Sequence, residues 1–425
     1  MRLARYGTGR YCLPFWPVRT EGATVDRMAN RYLKVALVDP SLFTVPYDAK
    51  LAGALRELGH DVIIYGEALA SAEDMSVLGG MRGIFYPELL TLRAKTWPGA
   101  AVRVAKGAVH WRGMRRLVDE VRVAAPDVVH FQWLPLPALD RLFLRTLRRV
   151  APLVLTAHDS RPFNEAASRL QKFGAIGILT EFDRVIVHTE EARARLTAYG
   201  VRPCRLVRIA HGLLNDEEPV PATREAPGDP VRFLLFGKLK PYKGADLLIE
   251  AFRRLPPGLQ DRAELHIVGK PYMDVRPLLK AADGVGGRVR LDFRFVPDAE
   301  MNQLLAQADV LVFPYREIDV SGVLMAALRY ARPIIASCIG GFAELLVDGR
   351  HGLLVPSGDV PALAAAMSRL IEQSATRRAM GGAIADLAAA IPSWLQIARQ
   401  TTDLYRELSL KRTDGPRHRA PGTPR

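Results

Sequence analysis

The chain is poor in cysteine: Cys12, Cys204 and Cys338 are the only three in 425 residues, far apart in sequence. That gives neither a disulfide framework nor a cysteine-based zinc site, and a reducing cytoplasm is the natural compartment. No uncharged apolar run reaches the ~18–20 residues that a membrane-spanning helix needs, so an integral membrane protein is not expected. No continuous apolar segment precedes Cys12, and residues 1–30 read as neither a secretory signal nor a transit peptide. No two aspartates stand two residues apart and no His-Glu-x-x-His occurs. No metal and no other cofactor is therefore expected. Zinc-finger spacing and the aromatic signature of RNA-binding sheets are also missing, so no nucleic-acid partner is expected.

What is present is a two-domain composition: 49% hydrophobic residues, 24% charged, with 34 glycines and 30 prolines spread throughout. A single core rarely grows beyond roughly 250–300 residues, so two cores are expected, and disordered, collagenous and coiled-coil classes are excluded. The net charge of +14 is unevenly placed, with +3 in residues 1–30 and +4 in residues 411–425. A further basic stretch runs over 93–122 and into RLFLRTLRR at 141–149. Such a balance reads either as solvated arginine-rich faces or as contact with an anionic membrane surface. Met28 lies just before the first convincing strand, and a start there rather than at Met1 is an open alternative.

From LKVALV (33–38) onward, short β-rich runs alternate with helical periodicity. Leu51, Ala54, Leu55 and Leu58 fall at helical spacing, then DVIIYG, DVVHFQ, PLVLTAH, DRVIVHT and RLVRIAH follow as strands. This is the pattern of βαβ units with a parallel sheet. The polar, proline-rich 213–230 reads as a linker. A second alternation follows in VRFLLFG, ADLLIEAFRRL, ELHIVG, VRLDF, DVLVFP, PIIAS and GLLVP. The fold class is α/β with two doubly wound parallel-sheet, Rossmann-like domains. The boundaries are an N-terminal extension 1–30, a first domain 31–212, the linker 213–230, a second domain 231–390, a helix 391–410 capped by Ser393, and a basic tail 411–425.

Ligands of open α/β sheets bind beyond the carboxyl ends of the strands. Four histidines stand at such ends in the first half: His130, His158, His188 and His211. Each alone reads as a hydrogen-bonded structural histidine; together they suggest a polar cleft wall, with His158 in TAHDS foremost. In FGKLKPYKG, Gly237 and Gly244 permit tight turns while Lys238 and Lys243 bring two cations to a helix start, as a pyrophosphate site or a solvated turn would. In PYREIDVSGVL, Ser321 and Gly322 open a helix whose amides near Val323 could hold phosphate oxygens, with Glu317 and Asp319 just before it available to sugar or ribose hydroxyls. Glu344, in the first turn after GGFA, reads as a ligand or as helix-start decoration.

In these residues and their order the chain resembles the GT-B-fold glycosyltransferases of family 4, the group 1 type. The resemblance covers about 31–410 and rests on GHDV, DVVHFQW, TAHDSRP, HTEEARARL, IAHG, GKLKPYKG, LHIVGKP, PYREIDVSGVL, RPIIAS, GGFAELLVDGRHGLLVP and SWLQIARQTTDLY in sequence order. It implies two domains facing a cleft, with a C-terminal helix crossing back to the first. It also implies transfer of a sugar, with retention, from a nucleotide-sugar donor to an acceptor hydroxyl on a glycan or lipid-linked saccharide of a cell-surface polysaccharide. The protein is expected in the cytoplasm or peripherally on the inner membrane face. The resemblance maps the diphosphate-gripping pair to Lys238 and Lys243 and the histidine beside the donor sugar to His158. The residues themselves give the donor contacts expected, Gly237, Glu317, Asp319, Ser321, Gly322, Val323 and Glu344, and the acceptor-side cleft expected, Tyr47, His130, His188 and His211. One departure stands out. The family's two glutamates, separated by seven residues, fall on Ile318 and Ala326; the second is absent, and Glu317 or Asp319 replaces the first. A catalytically silent nucleotide- or glycan-binding regulator and a nucleotide-sugar epimerase are the alternatives.

Overall fold

The computed structural model describes residues 31–69, 79–88, 99–161, 174–215, 229–285 and 287–413. The extension 1–30 with Met28, most of the 213–230 linker and the tail beyond 413 lie outside the described residues.

The first sheet consists of β1 (Lys34–Asp39), β2 (Asp61–Glu67), β3 (Met81–Phe85), β4 (Val128–Phe131), β5 (Leu153–Thr156), β6 (Arg184–Val187) and β7 (Leu206–Arg208). Its order is β3-β2-β1-β4-β5-β6-β7, parallel throughout. Helices α1 (Val45–Glu57), α2 (Gly99–Ala124), α3 (Pro137–Val150), α4 (Ala175–Leu179) and α5 (Glu190–Ala198) cover it. The continuous apolar run of β1 follows from burial on both faces. Ala36 and Val38 pack with Leu117 and Val121 of α2 and Leu144 and Leu147 of α3. Val35 and Leu37 point the other way, onto Leu51 and Leu55 of α1.

The second sheet consists of β8 (Val231–Phe236), β9 (Ala263–Val268), β10 (Val289–Asp292), β11 (Val310–Phe313), β12 (Ile334–Ser337) and β13 (Gly352–Val355). Its order is β10-β9-β8-β11-β12-β13, again parallel. Around it lie α6 (Ala245–Arg253), α7 (Pro257–Gln260), α8 (Arg276–Ala282), α9 (Asp298–Gln307), α10 (Gly322–Ala327), α11 (Gly340–Leu345), α12 (Val360–Glu372) and α13 (Ser374–Ala390). The pairings are parallel in both sheets, and the structure is the GT-B arrangement that the resemblance implied. Strand order reverses at β1/β4 in one sheet and at β8/β11 in the other, and such switch points are where crevices open.

The last helix, α14 (Trp394–Thr413), returns to the first half. Ser393 and Gln396 form a reciprocal capping box, with Gln396 N–H donating to Ser393 Oγ (3.3 Å) and Ser393 N–H to Gln396 Oε1 (2.8 Å). Ile397, Leu404, Tyr405 and Leu408 of α14 complete the core over Val35, Leu37, Val154 and Ile186. Each fully buried aliphatic side chain there contributes roughly 1.5–3 kcal/mol. Polar contacts fix the docking: His60 Nε2 lies 3.0 Å from Thr402 Oγ1, and Arg184 pairs with Glu407 at 2.6 Å. Among the described residues, no helix is long and apolar enough to cross a membrane.

Candidate functional site

At the β8/β11 switch point the chain leaves β8 through Gly237 (φ 115°) and reaches α6 through a short 3-10 turn, Pro241–Lys243, and Gly244 (φ 69°). A Cβ at Gly244 would lie 2.1 Å from the Pro314 carbonyl oxygen, so the close approach of the two loops requires glycine. Lys243 turns back into the loop: its Nζ lies 2.8 Å from where a Cβ at Gly237 would sit, with Val323 Cγ2 at 3.0 Å. Gly237, Lys243 and Val323 therefore converge. Lys243 is buried, its ammonium over the Tyr315 ring at 5.1 Å, and no carboxylate among the described residues pairs with it. Burial lowers its pKa to about 8. Arg316 locks this loop to the one after β11, reaching Asp246 at 2.9 and 2.6 Å and the Pro241 carbonyl at 2.9 Å. Ser321 caps the six-residue α10, accepting from Leu324 N–H at 3.2 Å.

The three carboxylates expected on the donor side all reach across to the first half. Asp319, buried, accepts from Arg195 Nη1 at 2.6 Å and from the backbone N–H of Ser160. Arg195 also donates to Ser160 Oγ (2.6 Å) and pairs with Glu191. Glu317 accepts from Arg161 Nη1 at 3.1 Å. Glu344 accepts from the backbone N–H groups of Glu190 (2.9 Å) and Glu191 (2.7 Å), capping α5 from the opposite half. Thr189 caps the same helix through Ala192 N–H (3.1 Å). Together these contacts form a clasp holding the two halves closed. Beside it lies Asp159, whose carboxyl is pushed up to about 7 by burial and then by the charges of Asp319 and Glu317.

The histidines divide. His130 is fully buried, with Nδ1 at 2.6 Å from the Tyr405 hydroxyl of α14 and Nε2 at 2.7 Å from Thr156 Oγ1. It belongs to the seam between β4 and α14 rather than to the cleft wall on which it was expected. His158, His188 and His211 do cluster, around the Tyr47 ring at centroid distances of 4.7, 5.5 and 5.1 Å, with Trp394 completing the group at 5.0 Å. His158 Nε2–H donates to Gln132 Oε1 (3.0 Å), His188 Nδ1–H to the Ile209 carbonyl (2.9 Å) and His211 Nδ1–H to the Gly212 carbonyl (2.7 Å). The Ile209 carbonyl sets the His188 tautomer, and His188 Nε2 lies 3.4 Å from His158 Nδ1. Burial lowers His188 to about 4, His211 and His130 to about 3, and His158 well below its ordinary value, so all four are neutral at physiological pH.

The two halves also meet where Lys238 Nζ stands 5.1 Å from the centroid of the Phe43 ring. On the outer surface, Arg116 pairs with Glu88 (2.7 Å) and Arg148 with Asp183 (3.6 Å), so part of the basic character of α2 and α3 is neutralised locally. Among the described residues, no group of three or more His, Cys, Asp or Glu could hold a metal ion.

Sequence reasoning missed Arg195, Asp159 and Phe43. Asp159 was visible only as a neighbour of His158 in TAHDS. Arg195 sits in an ordinary polar helix, and nothing in its spacing links it to Asp319, 124 residues away.

The model of the family described as "Glycosyl transferases group 1" matches residues 230–373, and that of "Glycosyltransferase Family 4" matches residues 49–213. The chain is 29% identical over 299 residues to a D-inositol 3-phosphate glycosyltransferase of Geodermatophilus obscurus, covering 64% of this chain and 65% of the relative. The chain therefore spans just under two thirds of that relative's length. A protein of the same name from Kribbella flavida is 26% identical, with 91% and 98% covered. A phosphatidyl-myo-inositol mannosyltransferase of Mycolicibacterium smegmatis is 26% identical, with 81% and 86% covered. Among solved structures, Anabaena Alr3699/HepE in complex with UDP-glucose superposes with a TM-score of 0.67 at 17% identity, covering 89% of this chain and all of that one. The catalytic domain of Arabidopsis thaliana starch synthase IV, bound to ADP and acarbose, gives 0.69 at 14% identity with the same coverage.

Proposed function

We propose that this chain is a group 1 glycosyltransferase that moves a sugar from a nucleotide-sugar donor to an acceptor hydroxyl with retention of anomeric configuration. The second domain, 231–390, holds the donor in this reading and the first, 31–212, the acceptor. The observation that carries it is the buried Lys243 ammonium with no carboxylate partner among the described residues. Burying a charge is costly unless an opposite charge meets it, so a site that keeps this cation is made for an anion. Gly237 and Val323 converge on that ammonium, and in this reading Lys238 and the start of α10 at Ser321 and Gly322 complete the donor site.

The roles follow from charge. As the bond from the sugar to the diphosphate breaks, negative charge grows on the leaving group. Lys238 and Lys243 offset it from fixed positions, each charge-assisted contact contributing on the order of 1.5–3 kcal/mol. His158, neutral, stands beside the donor sugar as a hydrogen-bonding group rather than as a charge. Glu317, Asp319 and Glu344 act here as donor-side groups that also hold the halves closed. The acceptor is a glycan or lipid-linked saccharide of a cell-surface polysaccharide, met in the cytoplasm at the inner face of the membrane. The relatives' names support glycosyl transfer, and the UDP-glucose in Alr3699/HepE supports a nucleotide-sugar donor.

A silent nucleotide-binding regulator is the second reading, favoured by Ala326 at the position of the family's second glutamate and by the clasp that occupies the cleft carboxylates. Calorimetry and thermal shift against UDP, GDP, dTDP, ADP and their sugar conjugates test the proposal, with Lys238→Ala/Lys243→Ala beside the wild type. Saturable binding of one nucleotide family, lost in the double variant, is expected. Absence of binding by the folded wild type would leave the donor reading without support.

A further inference from the structure

At the end of the first sheet away from the cleft, where β1, β2 and β3 begin, the face under α2 holds a cavity of about 170 Å³. Ala36 and Ile63 line its floor, and the small side chain of Ala36 leaves the space open. Its roof is the turn after α2. Ala125 takes φ 44°, its N–H donating to the Val121 carbonyl at 2.9 Å, and Pro126, which cannot continue a helix, lines the space. Asp127 ties this turn to β1: its carboxylate accepts from Lys34 N–H at 2.8 Å, and its own N–H donates to the Lys34 carbonyl at 2.8 Å. Tyr65 lines the same cavity, wholly buried, and its hydroxyl has no hydrogen-bond partner among the described residues. Burial and then the charge of Glu120 raise its pKa, so the hydroxyl keeps its proton and is a donor. Lys34 and Asp61, both exposed, are register partners on β1 and β2 and line the outer part. Among the described residues neither side chain forms an ion pair. Arg82, the register partner of Tyr65 on β3, also lines the cavity and pairs with Glu120 of α2.

A buried hydroxyl without a partner is costly, and a polar cavity beside it is where a partner fits. Lys34 and Arg82 balance Asp61 and Glu120, so the surroundings are neutral and favour a molecule carrying both charges over a free anion or a free cation. Lys34 and Asp61 stand on neighbouring strands about 4.8 Å apart, a separation that an ammonium and a carboxylate borne on one carbon atom match. Cavities of about 150 Å³ admit benzene, so this one has room for about six to eight non-hydrogen atoms. We propose that this cavity is a second ligand site, separate from the cleft, for a small α-amino acid bound as a zwitterion. Its carboxylate meets Lys34 and the Tyr65 hydroxyl, and its ammonium meets Asp61. The site uses none of the residues given to donor or acceptor, so it stands or falls apart from the transferase reading.

The test uses the full chain and ligand-observed NMR titrations with L-alanine, L-serine and L-threonine. Beside them run L-lactate, which lacks the ammonium, ethanolamine, which lacks the carboxylate, and glycerol, which lacks both. Expected is saturable binding of at least one of the three amino acids, with the other three probes weaker by about tenfold or more. Affinity should fall about tenfold in Tyr65→Phe, and about three- to tenfold in Lys34→Gln and Asp61→Asn, whose charges water partly screens. Tyr65→Phe removes only the unpartnered hydroxyl, so the melting temperature without ligand should hold; a fall would show that the hydroxyl serves the fold and overturn its assignment. Excess UDP should leave the amino-acid titration unchanged. Four further results would overturn the site: no saturation with any of the three amino acids, lactate or glycerol binding as tightly as they do, affinity unchanged in Tyr65→Phe or in both rim variants, or displacement by UDP, which would put the amino acid in the cleft.

Discussion

At the mouth of the second sheet the chain gathers cations, Lys238, Lys240 and Lys243, whereas at the mouth of the first it gathers aromatic rings and neutral imidazoles. Both collections experience the same force. Burial disfavours charge on Lys243 and on His158, His188 and His211 alike, moving every pKa downward. The outcomes differ because the starting points differ. A lysine lowered to about 8 is still mostly charged at neutral pH, while histidines lowered to about 3 or 4 are not. One desolvation therefore yields an anion site on one side of the cleft and an uncharged hydrogen-bonding wall on the other.

That contrast depends on the halves being held together, so the severest way to break it is at the clasp. Arg195→Met strands the buried Asp319 carboxylate, and removing one partner of a buried pair costs ~3–5 kcal/mol. A matching drop in urea-unfolding free energy is expected, with the radius of gyration from X-ray scattering rising; an unchanged curve would mean the clasp does not hold the halves. Next comes the cationic side alone. Lys243→Met should weaken nucleoside diphosphate by about 10–100-fold in calorimetry, with nucleoside monophosphate less affected. Equal affinity for wild type and variant would remove Lys243 from the anion site.

The pH response separates the two sides by sign. Diphosphate affinity should be steady at pH 6–7 and fall as pH rises through about 8, where Lys243 loses its proton. The unliganded protein should move the other way. The folded Lys243 pKa lies below the unfolded value near 10.4, so the unfolded chain binds more protons between those two values and stability rises with pH across that window. The histidines act on the acid side. Their folded pKa values lie below the unfolded value near 6.5, so their contribution is complete above that pH and is lost as pH falls toward 4. Melting temperature followed from pH 7 to 4 should decline, and replacing His188 by Gln should flatten the decline; an unaltered slope would contradict its buried neutral state. The smallest effect belongs to the seam. Trp394→Phe removes the indole N–H bond to the Leu213 carbonyl (2.6 Å), which should cost ~0.5–1.5 kcal/mol with the ring packing on Tyr47 retained.

The alternation of apolar runs with helical periodicity made both parallel sheets legible, because strands buried on two faces leave continuous Val, Ile and Leu segments. β3 escaped notice: Met81–Phe85 is short, interrupted by Gly83, and only partly buried at an edge. The lysine loop was legible because glycine spacing and helix start are local properties. His130 was not, since its burial is set by Tyr405, 275 residues away. The same holds for Glu317, Asp319 and Glu344. The position of Glu317 and Asp319 before a helix start was readable, whereas Glu344, expected in a first turn, stands at the C-terminal end of Gly340–Leu345; the partners Arg161, Arg195 and the amides of Glu190 and Glu191 come from the other half of the chain. Contacts that tertiary structure alone creates leave no period in the sequence.

The return of α14 to the first sheet has a consequence for how the molecule is made. On a ribosome, β1 through β7 emerge and can pair while some 185 residues remain to be translated before Trp394 appears. Until then the layer beneath Val35, Leu37 and Val154 lacks Ile397, Leu404, Tyr405 and Leu408, and His130 lacks the Tyr405 hydroxyl. The nascent first half thus waits with an open apolar face through the whole synthesis of the second. It becomes a finished body only when the last helix leaves the exit tunnel.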